Sequence, residues 1–313
     1  MPKPLTYNAT LAERIDLTDA LSIFKVTPDE SLSDPAWFVP GQYVVLGMNN
    51  EVDTDKGSVR RAMSIVSAPQ ERDAIEFYIR FVSKPESENP LTHLLWKTKP
   101  GDRLFMTTRP AGVFTVPKCL GDDNDRMKVC VAAGTGLAPF TSMLRHDKIK
   151  NPSVDLRDYA VMHGASYPAD LGYEEEMKAY TEMGAYYLPT VSRPKEAPDW
   201  AGDAGRVEDY FKPERLEDTE TRMGLGKGGL TPKNAAILIC GLQGTISQTI
   251  VRLVGRGFVP DNHRIRAALD VPKEIPSSIF FEQYDKTPVI DLKNEELVAD
   301  LKSQLHQALG LNV

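Results

Sequence analysis

Cysteine is scarce here, with three residues (Cys119, Cys130 and Cys240) in 313, widely spaced and odd in number. That usage fits reduced thiols in a cytoplasmic protein, and within this sequence it excludes an iron–sulfur cluster held by four thiolates. No apolar run approaches the roughly 20 residues of a membrane span, so no membrane insertion is expected. Met1-Pro2-Lys3-Pro4 leads into no apolar core, so no secretory signal is expected either. Positive charge is not in excess: the net charge of -7 argues against nucleic acid as a partner. There is no long internal repeat and no expected metal site.

What is present divides in two. Short strand candidates at Thr6 to Leu11, Leu21 to Val26, Gln42 to Met48, Ile75 to Val82 and Arg103 to Thr107 are separated by turns such as Pro40-Gly41 and Pro100-Gly101. They predict a small antiparallel barrel over residues 1–118, with one covering helix from Pro90 to Lys97. The polar stretch Pro117 to Arg126 reads as a domain boundary. Beyond it, strand candidates at Lys128 to Ala133, Tyr159 to His163, Ala185 to Pro189 and Ala235 to Cys240 alternate with helical stretches. Those helices are Ala138 to Asp147, Gly172 to Met183, Val207 to Phe211 and Thr245 to Arg256. The alternation predicts an α/β parallel-sheet domain over residues 126–285, with Ser278 to Tyr284 as its last strand. Residues 286–313 form a C-terminal extension, in which Glu295 to Leu309 has the apolar spacing of an amphipathic helix.

Lys128 to Arg145 carries the strongest local signal. An apolar run, Val129 to Ala133, leads into Gly134-Thr135-Gly136 and then a helix with Pro139 in its first turn. Free N–H groups and the helix dipole at such a turn suit a phosphate-bearing ligand. The third glycine of GxGxxG is replaced by Pro139, so the pattern alone also fits a plain strand-to-helix turn. In the first half, Arg61-Ala62-Met63-Ser64 sits on an extended segment. Arg61 could fork onto a phosphate and Ser64 offer a hydroxyl to a ring nitrogen, although an ordinary edge strand has the same pattern. Residues 224–229, Gly-Leu-Gly-Lys-Gly-Gly, lack the ending of a phosphate loop and read as a flexible surface loop.

In order along the chain, these segments resemble those of the ferredoxin–NADP reductases, particularly the bacterial type. Arg61-Ala62-Met63-Ser64 resembles the family's Arg-x-Tyr-Ser flavin segment, with Met63 in place of the tyrosine that packs on the isoalloxazine. The strand through Tyr78, Ile79 and Arg80 resembles the one whose backbone lies along the flavin diphosphate and ribityl chain. Pro90-Leu91-Thr92 resembles the turn presented to the pyrophosphate, and Ala111-Gly112-Val113-Phe114 the segment that closes the flavin domain. The Gly134-Thr135-Gly136 turn resembles the nicotinamide-nucleotide turn, and Cys240-Gly241 the pair beside the nicotinamide. Ser192-Arg193 and Arg206 resemble the grip on a 2′-phosphate; His163-Gly164-Ala165-Ser166-Tyr167 resembles another family segment, but Ser166 stands where some bacterial members have an arginine.

The resemblance implies a two-domain flavoprotein with FAD on the barrel and NADPH on the sheet domain. It would pass electrons to ferredoxin or flavodoxin through the flavin, because NADPH gives two electrons together as hydride and such carriers take one at a time. It implies that Ser64, Cys240 and Glu282 flank the reacting rings, with Tyr284 as a covering ring. Arg60, Lys97, Lys99, Arg103 and Arg109 are plausible landing points for an acidic carrier. Two other functions stay open: the reductase component of a multi-component oxygenase, and a flavin- or nucleotide-binding regulatory module without turnover.

Overall fold

The computed structural model describes residues 4–32, 37–284 and 287–311. The start of the chain and the boundary at 285/286 lie outside the described residues. The chain divides into two compact units, residues 1–119 with 138–154, and residues 120–137 with 155–313.

The first unit contains β1 (Ala9–Thr18), β2 (Leu21–Pro28), β3 (Tyr43–Asn49), β4 (Ser58–Ser64), β5 (Ile75–Arg80), α1 (Leu91–Leu95), β6 (Arg103–Met106) and α2 (Val116–Leu120), whose last residue belongs to the second unit. The strands lie in the order β4-β3-β6-β1-β2-β5 and pair antiparallel. The two ends of this order meet just past β4, where Ile65 bridges Phe77 and the Val66 N–H donates to the Glu76 carbonyl at 2.9 Å. The expected antiparallel barrel is therefore closed. Leu11, Phe24, Val44, Leu46 and Phe77 fill it, each no more than 2% exposed. Leu91, Leu94 and Leu95 of α1 join that core, as their shared face predicted. Pro100-Gly101 turns before β6, and Gly41 turns before β3 with a φ of +100°. A Cβ on Gly41 would strike the Phe114 carbonyl, so both backbone conformation and space require glycine.

The helix after the glycine turn, α3 (Ala138–Lys150), groups with this unit rather than with the sheet domain in which it was expected. Phe140 packs edge-on to Phe114 at 5.8 Å, the Ser142 hydroxyl donates to the Ser67 carbonyl at 2.7 Å, and Arg145 pairs with Glu76 at 3.0 Å. Its first seven residues are all buried.

The second unit contains β7 (Met127–Ala133), β8 (Tyr159–Ala165), α4 (Glu174–Thr181), β9 (Tyr186–Val191), β10 (Asp203–Ala204), α5 (Pro213–Arg222), β11 (Ala235–Gly241), α6 (Gln243–Val254), α7 (His263–Ala268), β12 (Ile279–Gln283) and α8 (Glu295–Leu309). All six strands pair parallel, in the order β10-β9-β8-β7-β11-β12. β7 and β11 are almost wholly buried, which explains their unbroken apolar runs. The chain steps outward from β7 to β10, then returns to the other flank of β7 with β11. Strand order therefore reverses between β7 and β11.

Four short elements carry no strong sequence signal: α2, β10, α5 and α7. α5 is nearly all polar, yet Glu220 on it is 2% exposed. That carboxylate accepts from the Gly228 N–H (2.6 Å), the Leu230 N–H (3.1 Å) and the Arg256 guanidinium (2.6 Å). The glycine-rich loop expected to be flexible is thus tied at its end to a buried anion. Its glycines are needed because residues 224, 226 and 228 all have positive φ. The extension helix α8 packs as its amphipathic spacing suggested: Leu301 and Leu305 are fully buried and the His306 ring meets the Leu269 carbonyl at 2.9 Å.

Candidate functional site

On the barrel unit, β4 breaks the alternation of a half-buried strand. Arg60, Arg61 and Ala62 are exposed in succession, Met63 is half-buried, and Ser64 is buried at the strand's end. β4 pairs with β3 along its whole length, and its other edge has no strand partner among the described residues. Arg60 to Ala62 is therefore a stretch of strand uncovered on both faces, with backbone groups facing outward. That surface fits a flat, phosphate-bearing ligand such as FAD. The Arg61 guanidinium donates locally, to the Arg60 carbonyl at 2.8 Å. Tyr78 and Ile79 are 4% and 3% exposed on opposite faces of β5, and Ile79 joins the barrel core. Leu91 is core, and the Thr92 hydroxyl accepts the Val82 N–H at 3.4 Å. Among the candidate landing points, Arg103 is committed to Asp29 and to the Thr10 hydroxyl at 2.7 Å, whereas Arg60, Lys97, Lys99 and Arg109 are exposed.

On the sheet unit, the glycine turn and Cys240–Gly241 come together at the carboxyl ends of β7 and β11. Gly134 has a φ of +55° with open space where a Cβ would stand, so it is required by backbone conformation. Gly136 is required by proximity: a Cβ there would collide with the Cys240 carbonyl. The same turn is thus pressed against the strand end that carries the cysteine. The Cys240 thiol donates to the Tyr284 hydroxyl at 3.2 Å, which itself donates to the Thr135 carbonyl at 3.3 Å. Burial first, and then the charge of Glu282, its register partner on β12, hold the Cys240 thiol far above the usual range, outweighing the hydrogen bond to Tyr284. Cys240 is therefore a neutral thiol, suited to packing and hydrogen bonding rather than to nucleophilic attack. Pro139 lies in the first turn of α3, where the missing N–H costs nothing.

The residues matched to a phosphate grip lie at neighbouring strand ends. Ser192 and Arg193 follow β9, and their N–H groups donate to the Ala165 and Ser166 carbonyls at the end of β8. Arg206 is exposed, precedes the 3-10 turn at Val207–Phe211, and stands 4.0 Å from where a Cβ on Gly244 would be, at the start of α6. A guanidinium beside a helix N-terminus forms a site for an anion.

Three features were given no role by the sequence. His163 on β8 is fully buried and its pKa is pushed down to about 4 by burial, against the raising effect of the Gly134 backbone. Leu242, next to Gly241, is 61% exposed and lays an apolar lip beside the cysteine. Tyr167 and Glu196 surround Arg193: the Arg193 guanidinium donates to the Tyr167 hydroxyl at 2.7 Å, and that hydroxyl donates to Glu196 at 2.7 Å. Burial at His163, exposure at Leu242 and a side-chain relay around Arg193 are set by the tertiary structure.

With this geometry in place, likenesses to known proteins become specific. Residues 130–250 match the oxidoreductase NAD-binding domain family. The chain is 27% identical over 252 residues to a ferredoxin–NADP reductase of Azotobacter vinelandii, covering 77% of this chain and 86% of that protein. It is 28% identical over 215 residues to the xylene/toluene monooxygenase electron transfer component of Pseudomonas putida, covering 67% of this chain and 54% of that one. Its fold matches a ferredoxin NADP+ reductase of Neisseria gonorrhoeae, solved with FAD and NADP, with a TM-score of 0.68 and 22% identity over 89% of this chain and 98% of that one. Residues 130–250 are thus similar to oxidoreductase NAD-binding domains, and most of the chain is similar to ferredoxin–NADP reductases.

Proposed function

We propose that this chain is an oxidoreductase that passes electrons between NADPH and a one-electron protein carrier, a ferredoxin or a flavodoxin, through bound FAD. The observation that carries this reading is the convergence of the Gly134 turn and Cys240–Gly241 where the strand order reverses. Ligands of open parallel sheets bind at that point. FAD, when bound, would supply the chemistry that takes one hydride, two electrons together, and releases those electrons singly.

The chain's own residues divide the remaining work. Arg61 clamps a flavin phosphate, Ser64 offers its hydroxyl near the flavin ring nitrogen, and the uncovered edge of β4 supplies backbone contacts. The Gly134 turn approaches the NADPH pyrophosphate, while Arg193 and Arg206 grip its 2′-phosphate. Cys240 and Leu242 pack against the nicotinamide, and burial, aided by the charge of Glu282, keeps the thiol protonated. Tyr284 must leave the Thr135 carbonyl if the nicotinamide is to lie against Cys240. Arg60, Lys97, Lys99 and Arg109 form a basic rim for steering an acidic carrier, on a chain whose net charge is -7.

An anaerobic absorption spectrum tests the proposal. The purified protein should be yellow, NADPH should bleach it, and oxidised ferredoxin or flavodoxin should restore the colour. A yellow protein that NADPH leaves unchanged is a binding module and not this enzyme. Likeness to the monooxygenase component favours a second reading, in which the acceptor is the iron–sulfur protein of an oxygenase. Reoxidation by that protein at a rate well above that with ferredoxin or flavodoxin would favour it.

A further inference from the structure

We propose that Tyr167 and Glu196 set the coenzyme preference of this chain, with Glu196 acting as a resident anion that an incoming 2′-phosphate must displace; this rests on the NADPH reading above. The Arg193 guanidinium lies over the Tyr167 ring at 5.4 Å and donates to its hydroxyl, which in turn donates to Glu196. A three-membered relay, arginine to phenol to carboxylate, thus occupies the neighbouring ends of β8 and β9. The loop that carries it is clasped by the Ser192 and Arg193 N–H groups and turned by the Glu196 N–H on the Arg193 carbonyl at 3.2 Å. Asp170 adds a second, more distant negative charge near Arg193.

A 2′-phosphate offers Arg193 and the Tyr167 hydroxyl a better acceptor than Glu196, because it carries more charge and more oxygens. It also brings a dianion next to a carboxylate, which must swing away. A bare 2′-hydroxyl cannot displace Glu196 and gains nothing from doing so. Glu196 therefore taxes binding of the phosphorylated coenzyme alone, and Tyr167 is the group through which that tax reaches Arg193.

The test uses 2′,5′-ADP and 5′-AMP as probes in isothermal titration at low salt, with steady-state kinetics alongside. Wild-type protein should bind 2′,5′-ADP more tightly than 5′-AMP. Glu196→Gln should tighten 2′,5′-ADP by about threefold to tenfold, the scale of one exposed charge a few ångströms away, and leave 5′-AMP unchanged. KM for NADPH should fall while kcat and the KM for NADH hold. In a Tyr167→Phe background the same substitution should have a smaller effect. Equal shifts for both probes, no shift for either, or full additivity with Tyr167→Phe would overturn the proposal. Equal wild-type affinity for the two probes would instead sink the NADPH reading on which it rests. Glu196 is exposed and its replacement leaves the core untouched.

Discussion

His163 stands beneath the glycine turn as a neutral imidazole. Its Nδ1 lies 3.3 Å from the Tyr187 hydroxyl, and burial depresses its pKa from the ordinary 6.5 to about 4. The unfolded chain therefore takes up a proton below pH 6.5 that the folded chain refuses until about pH 4. The stability tied to this residue is fully present above pH 6.5 and is lost as pH falls towards 4, up to about 3 kcal/mol. Urea unfolding followed between pH 7.5 and pH 4.5 should show that slope, with about half or more of it removed in His163→Gln. A slope of the same size in the variant would assign it to other groups.

At the scale of elements, the buried Glu220 joins α5 to the loop before β11 and, through Arg256, to the segment after α6. Glu220→Ala would strand two backbone N–H groups and leave the Arg256 guanidinium, 28% exposed, with the Leu230 carbonyl but no counter-charge, and should cost about 2–3 kcal/mol. Limited proteolysis should then cut within residues 224–229 under conditions in which the native loop survives. Unchanged stability together with unchanged protection would show that the carboxylate does not anchor the loop. β4 shows the complementary case, an element left open rather than tied. Its run of three exposed residues has no structural need of its own, which is why it reads as a ligand wall.

At the scale of the whole molecule, the proposed function gives the two units separate binding tasks, so their defects should separate too. Arg61→Ala should yield protein with sharply reduced FAD content that still binds 2′,5′-ADP. Arg193→Ala should keep its flavin and lose about tenfold or more in 2′,5′-ADP affinity, the scale of one charge-assisted contact. Flavin content and titration calorimetry on the same preparations check both. If Arg193→Ala weakened 5′-AMP equally, the guanidinium would have no special part in holding the 2′-phosphate.

The sequence by itself determined the two architectures and the turn between strand and helix. Alternating short strands with proline–glycine turns specify a barrel, and unbroken runs such as Val129 to Ala133 specify buried parallel strands, because each pattern follows from which faces meet water. Resemblance in order added the flavin and nucleotide segments, including Arg61, Gly134 and Cys240. Only the tertiary structure decided that Gly136 is required by the Cys240 carbonyl, that α3 groups with the barrel unit, and that the glycine-rich loop is anchored by Glu220. Only it brought Tyr167 and Glu196, 29 residues apart, onto one arginine. The reason is common to all four. Helix and strand patterns are written in neighbours a few positions apart, whereas close backbone approach and side-chain relays depend on which strand ends the fold places side by side.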